Sequence, residues 1–227
     1  MAWLPMIATA LVTASPSTAV PPSPAIAEHL TPKAWVYAPK TRASPAPLIV
    51  LLHGSGGDAR NFLEQFKREA DRRGIVLLSL QSSGRTWPQR PPNDGEPDVV
   101  NLDDALEHLS ATVPFDRERT ALIGFSDGAS YALSLGLAYP SMFRTIVAFS
   151  PGFAFAPSDA DTTQRIFITH SRRDPILPAS NVRDMIKGLE SAGYSPEVHW
   201  FNGGHEIDPD LKKAALDFAD GAARTPQ

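Results

Sequence analysis

The sharpest chemical signal in the chain is Gly124-Phe125-Ser126-Asp127-Gly128. It stands between an apolar run, Ala121-Leu122-Ile123, and a segment of helical character from Ala129 to Ala138. A strand that must reverse at once into a helix forces the corner residue into a strained backbone. Glycines on either side remove Cβ atoms that would collide in so tight a turn. The serine hydroxyl is then exposed at a helix N-terminus, where the dipole favours developing negative charge. Ser126 is therefore expected to act as a nucleophile; the bland alternative is a Gly/Ser turn with no chemistry.

A serine needs a general base, and six histidines are available. His29 lies in the N-terminal arm, and His108 lies late in a helix on its polar side. His53 and His170 each end a strand, near the sheet edge expected for Ser126. His199 sits inside a strand, and His205 follows Gly203-Gly204 in a loop before the last helix. In a chain order of Ser, acid, His, only His199 and His205 come late enough, and the flexible glycines favour His205. The acid expected between them is Asp174, just past the Ile166 to Thr169 strand, where it would accept the His205 Nδ1–H and fix its tautomer. Asp184, Asp208 and Asp161 are weaker candidates by position, and the competing reading of Asp174 is an Asp–Pro turn starter.

Acyl transfer on such a serine also needs donors for the oxyanion, here backbone N–H groups. One is expected from Asp127, the residue after the nucleophile. The other is expected from His53-Gly54-Ser55-Gly56-Gly57-Asp58, with Ser55 as the donor and Gly56 behind it. Trp87, in a loop following a strand, and Phe153 or Phe155, after the Thr145 to Phe149 strand, are candidates to wall a substrate pocket. Their competing reading is ordinary packing under a loop.

These residues need a scaffold that brings strand ends together. Leu48 to Leu52 and Ile75 to Leu80 are continuous apolar runs, as in strands buried on both faces. Residues 59 to 73, with Phe62, Phe66 and Ala70 on one face, read as a helix ending before Gly74. Residues 98 to 110 read as an amphipathic helix with Val99, Leu102, Leu106 and Leu109 inward. Strands are expected at Thr120 to Ile123, Thr145 to Phe149, Ile166 to Thr169 and Val198 to Phe201, and helices near Val182 to Ser191 and Leu211 to Ala222. Such alternation implies one α/β domain with a mainly parallel sheet covered on both faces.

Composition narrows the function classes. The 227 residues are 42% apolar and 20% charged, enough to bury a core, with a net charge of −4. No basic stripe of the kind a nucleic-acid binder carries is visible. Cysteine is absent, which excludes disulfides, Cys-ligated zinc and a cysteine nucleophile. His205-Glu206 does not continue to a second histidine at zinc-peptidase spacing, since position 209 is proline. Gly54 to Ala59 can be forced onto a dinucleotide fingerprint, but Leu80-Gln81-Ser82-Ser83 lacks the acid that should follow. No metal or organic cofactor is implied.

Proline is in excess, with 22 residues, nine of them between Pro5 and Pro47. Residues 2 to 14 are apolar apart from two threonines, short for a membrane span but matching the core of an export signal. No basic residue precedes Lys33, which departs from that pattern. Residues 1 to 25 are thus expected to be a signal peptide and Pro/Ser linker, and 26 to 227 one domain, exported if the signal is used.

Together, Leu51-Leu52-His53-Gly54-Ser55-Gly56-Gly57, Gly124 to Ser130, Asp174-Pro175-Ile176-Leu177-Pro178 and Gly203-Gly204-His205 resemble the small phospholipase/carboxylesterase type of α/β-hydrolase. The resemblance runs from about Trp35 to the end of the chain. It implies a Ser126–Asp174–His205 triad, an oxyanion hole from the Ser55 and Asp127 N–H groups, and no cofactor. Ser171 stands where that family often has glycine, a departure with no bearing on the mechanism. No insertion is large enough for a lid, so the expected substrates are small-molecule carboxylic esters with short or medium acyl chains. A thioesterase or peptidase would use the same chemistry, and a hydrolase fold that only binds would lack it. Neither nucleic acid nor stable membrane insertion is expected; the oligomeric state is not readable.

Overall fold

The structure is a computed structural model that describes residues 26–157 and 161–221. The expected signal peptide and linker lie outside the described residues. Eight strands form one sheet: β1 (Ile26–Thr31), β2 (Ala34–Ala38), β3 (Ala46–Leu52), β4 (Val76–Leu80), β5 (Phe115–Phe125), β6 (Thr145–Phe149), β7 (Arg165–Ser171) and β8 (Glu197–Phe201). Their spatial order is β1-β2-β4-β3-β5-β6-β7-β8. The strands from β4 to β8 in that order pair in parallel, while β1 and β2 pair antiparallel to their neighbours. Among the described residues there are six helices: α1 (Ala59–Glu64), α2 (Lys67–Arg73), α3 (Pro97–Thr112), α4 (Asp127–Ala138), α5 (Ala179–Ser191) and α6 (Pro209–Ala219).

The apolar strand runs are explained by two cores, one on each face. Leu48, Val50 and Leu52 face a cluster with Leu102 and Leu109 of α3, Leu133 and Leu137 of α4, and Val182 of α5. Ile49 and Leu51, the alternate residues, face Phe62, Phe66, Ala70 and Leu216 on the α1–α2–α6 side. A two-residue side-chain period makes one strand serve both layers, which accounts for the unbroken apolar run of β3. β3 is buried at every position accordingly.

Three details differ from the sequence expectation. The strand pair β1–β2 extends the sheet, so His29 is a strand residue, with its ring 4.6 Å from that of Trp35. The helix expected over 59 to 73 is two helices. At Gln65 and Phe66 the backbone bonds tighten to Phe62 and Leu63, three residues back, which ends the first helix and swings Phe66 fully into the core. The strand expected at Thr120 to Ile123 runs from Phe115 to Phe125.

Because the six strands are parallel, the exits of β3, β5, β6, β7 and β8 share one edge of the sheet. There α4 leaves β5 at minimal distance from β3. A Cβ on Gly128 would lie 2.2 Å from the Leu52 carbonyl oxygen and 2.3 Å from that of His53. Gly128→Ala is therefore expected to cost about 3 kcal/mol or more, because the obstacle is backbone. Gly188, on the exposed face of α5, has nothing within 4 Å of its Cβ position. Gly188→Ala should stabilise by about 0.5–1 kcal/mol through helix propensity. Urea denaturation of the two variants, compared with the parent, checks both signs.

Candidate active site

Ser126 is the corner between β5 and α4, with φ 56° and ψ −121°. A non-glycine residue in that region costs roughly 1–3 kcal/mol and persists only where its surroundings hold it. They do: the Ser126 N–H donates to Phe149 O at 2.9 Å, and the Ser126 carbonyl accepts from Ala129 and Ser130 N–H at 3.0 Å. The hydroxyl is 2.8 Å from His205 Nε2, and His205 Nδ1 is 2.6 Å from Asp174 Oδ2. Residues 79 positions apart, on the exits of β5 and β8, are thus joined in one hydrogen-bonded chain.

Asp174 has a fully buried side chain. Burial alone would raise its carboxyl, but hydrogen bonds from His205 and from the Leu177 and Ile176 N–H groups outweigh it and hold it below the usual carboxylate range. The acid stays ionised and faces the His205 Nδ1–H, so Nε2 is left as the acceptor towards Ser126. The other acids are engaged elsewhere. Asp184 pairs with Lys187, Asp208 caps α6, and Asp161 accepts from Thr163.

The remaining histidines are likewise accounted for. His199 contacts Glu197 at 2.7 Å and stacks on Phe167, and His108 bonds a carbonyl within α3. His53 Nδ1 donates to Gly54 O at 2.7 Å, while its Nε2 accepts from the Gln81 amide at 2.9 Å and from Ser82 N–H at 3.2 Å. His170 Nε2 donates to Leu177 O at 2.9 Å, bracing the turn that carries Asp174. Both His53 and His170 are buried struts of the site, and burial holds both below the ordinary imidazole value.

The glycine-rich loop after β3 lies against the serine. A Cβ on Gly54 would be 3.4 Å from that of Ser126. The Gly54 carbonyl is held by Gly57 N–H at 2.9 Å and by His53 Nδ1. Since the peptide is planar and trans, Ser55 N–H projects from the opposite edge of that unit. Among the described residues neither Ser55 N–H nor Asp127 N–H has an acceptor.

Trp87 requires a correction, because it walls no pocket. It is 1% exposed, stacks on Tyr131 with ring centroids 5.2 Å apart, and donates Nε1–H to His53 O at 2.6 Å. A large ring with one polar atom is better satisfied there, with its face in the core and its donor on backbone. Its neighbours bind the same region: Arg85 O accepts from Gly56 N–H at 2.8 Å and Thr86 Oγ1 donates to Asp127 Oδ2 at 2.7 Å. Phe153 and Phe155 are half-buried with rings 5.4 Å apart, and their N–H groups donate to Ser130 and Ser134 Oγ. None of these tethers announces itself in the sequence, since single Ser and Thr residues carry no spacing signal.

The two buried histidines set a pH dependence. Each has its folded value below the ordinary 6.5, so on acidification the unfolded chain binds protons near pH 6.5 that the folded protein still refuses. The unfolded state then holds more protons, and stability falls as pH falls. Asp174 acts in the same direction only near and below its ordinary value of 3.8. The urea midpoint is therefore expected to be level above about pH 7 and to decline from about pH 6.5 to 5. A level midpoint throughout would show that the two rings accept protons without penalty.

The sequence model of the phospholipase/carboxylesterase family matches residues 100–221. A putative hydrolase of Bacillus subtilis, MhqD, is 25% identical over 171 residues, covering 70% of this chain and 86% of its own. Esterase YpfH of Escherichia coli is 33% identical over 99 residues, 43% of this chain and 43% of its own, so the chain matches under half the length of that relative. The crystal structure of a Bacillus cereus carboxylesterase superposes with a TM-score of 0.65 at 23% identity, over 84% of this chain and 94% of the other, and shows the same fold. The family match takes in the Ser126 corner, the Asp174 turn and the His205 loop in one stretch, and on it the chain belongs to the phospholipase/carboxylesterase family of α/β hydrolases.

Proposed function

We propose that this protein hydrolyses small carboxylic esters through an acyl-enzyme formed on Ser126. The observation that carries this reading is the continuous Asp174–His205–Ser126 hydrogen-bond chain at a strained strand–helix corner. Ser126 Oγ attacks the ester carbonyl while His205 Nε2 takes its proton. Asp174, held ionised, stabilises the imidazolium that results. The tetrahedral oxyanion is received by the Ser55 and Asp127 N–H groups, which have no acceptor among the described residues. His205 returns its proton to the departing alcohol oxygen. A water, deprotonated in turn by His205, then splits the acyl-enzyme and frees the carboxylic acid and Ser126.

No lid insertion separates the strand exits in the described residues, and Phe153 stands half-exposed on the β6 exit, where it would border the acyl group. The substrate class proposed is accordingly short- to medium-chain esters met in solution. No described helix is long and apolar enough to cross a membrane.

A fluorophosphonate probe followed by peptide mapping tests the nucleophile without the natural substrate. Stoichiometric label on Ser126, absent in a folded Ser126→Ala variant, is the expected result. Folded parent protein that takes no label would remove Ser126 from the mechanism. Asp174→Asn should lower kcat by about 10⁴ by stabilising the wrong His205 tautomer. Across nitrophenyl esters, kcat/KM is expected to be higher for acetyl and butyryl than for palmitoyl; the reverse order would argue for a lipid-handling site.

A further inference from the structure

Ser171 is the last residue of β7 and is wholly buried. Its hydroxyl donates to Gly203 O at 2.5 Å and accepts from Gly203 N–H at 3.2 Å and from Arg173 N–H at 3.1 Å. A serine hydroxyl has one proton and two lone pairs, and all three are used. The partners are what make this unusual: Gly203 lies two residues before His205, and Arg173 lies one residue before Asp174.

The β7–β8 ladder ends at the bond from Arg172 N–H to Phe201 O. Past that rung the two chain exits separate, one carrying the acid and the other the histidine. Among the described residues, the polar links between them are then the Ser171 hydroxyl and the Asp174–His205 bond itself. The histidine exit is also intrinsically loose. The Cβ position of Gly203 is crowded by the Glu206 carboxylate and the Phe201 ring, whereas Gly204 has open space around its own. Two successive glycines lose the most backbone freedom on ordering, so a single His205 position needs external ties. Glu206 Oε1 accepts from Gly204 N–H at 3.0 Å, and Ser150 Oγ donates to Glu206 O at 3.4 Å. Those two pin the loop; among the described residues, the Ser171 hydroxyl is what ties it to the Asp174 turn besides the Asp174–His205 bond itself.

We propose that Ser171 is a positioning residue that sets the separation of Asp174 and His205 by coupling Arg173 to Gly203. A residue without a side-chain hydroxyl supplies no such tie, so Ser171 does bear on the mechanism. The proposal rests on the roles of His205 and Asp174 given above. It predicts that removing the hydroxyl loosens the Asp174–His205 bond without altering the surface that binds substrate.

The test uses Ser171→Ala and the near-isosteric Ser171→Cys, with two readouts on each. One is steady-state hydrolysis of nitrophenyl acetate, with active sites counted by fluorophosphonate. The other is the far-downfield proton resonance of the His205 Nδ1–H, assigned by its loss in His205→Gln. In the Ala variant kcat per site should fall about tenfold or more with KM within about twofold, because catalytic groups displaced by a fraction of an ångström lose rate steeply. The resonance should move upfield or broaden. The Cys variant should fall between Ala and the parent. A folded Ala variant with parental kcat and an unmoved resonance overturns the proposal, and so does lost thermal stability with both readouts intact. Should Ala fail to fold, Cys decides on the same criteria. If the parent hydrolyses no ester, the function proposed above has failed, and the resonance alone still decides whether Ser171 holds the pair together.

Discussion

At the corner between β5 and α4 there is no room for a methyl group. The α-carbon of Gly128 rests against the carbonyls of Leu52 and His53, and that of Gly124 against the carbonyl of Gly128, with Cβ positions only 2.1–2.2 Å from the nearest oxygens. This contact brings the Ser126 corner and the glycine-rich loop after β3 together as a single backbone assembly. Ser126 is held at positive φ because the strand on one side and the buried helix on the other permit no alternative. The carboxylic ester hydrolase chemistry of this family needs both features at once, an exposed serine and donors beside it, and the same close approach supplies both.

Around that contact, polar groups are used sparingly and mostly on backbone. His53 is spent on Gly54 O, Gln81 and Ser82, and His170 on Leu177 O. Trp87 gives its single donor to His53 O, and Thr86 its hydroxyl to Asp127. His53, His170 and Trp87 each fix a peptide unit, and Thr86 the Asp127 carboxylate, next to a proposed catalytic group, while remaining buried or half-buried themselves. A bonded group in a dry, rigid setting orients its neighbour without reorganising, which is what electrostatic stabilisation of a transition state requires. The cost appears as pH sensitivity, since the buried imidazoles resist the protons the unfolded chain accepts.

The antiparallel pair β1–β2 shows why one end of the fold escaped a reading by periodicity. His29 stands between Glu28 and Leu30 in the edge strand, so β1 carries no long apolar run; Ala34–Ala38 of β2 is one, and it is buried at four of its five positions. The break at Gln65–Phe66 escaped for another reason. Residues 59 to 73 are compatible with one helix, and only the need to seat Phe66 among Leu51, Leu63 and Leu77 divides them. The place of Trp87, in a loop after a strand, suits a pocket wall or packing under the loop alike, and the space beneath that loop is core.

The sequence by itself determined the fold class, because apolar runs such as Leu48 to Leu52 alternate with amphipathic helical segments, the pattern of a parallel sheet covered on both faces. It also determined which residue types stand at the strand exits: a serine between glycines, an aspartate, and a histidine after two glycines, in one order along the chain. Their separations belong to the tertiary structure. Whether His205 or His199 reaches Ser126, and whether a tryptophan faces substrate or core, depends on angles between strands far apart in sequence. The same holds for the Ser171 hydroxyl, which spans the exits of β7 and β8. Local propensity and spacing fix what a segment is; the packing of the sheet against its two helical layers fixes what it meets.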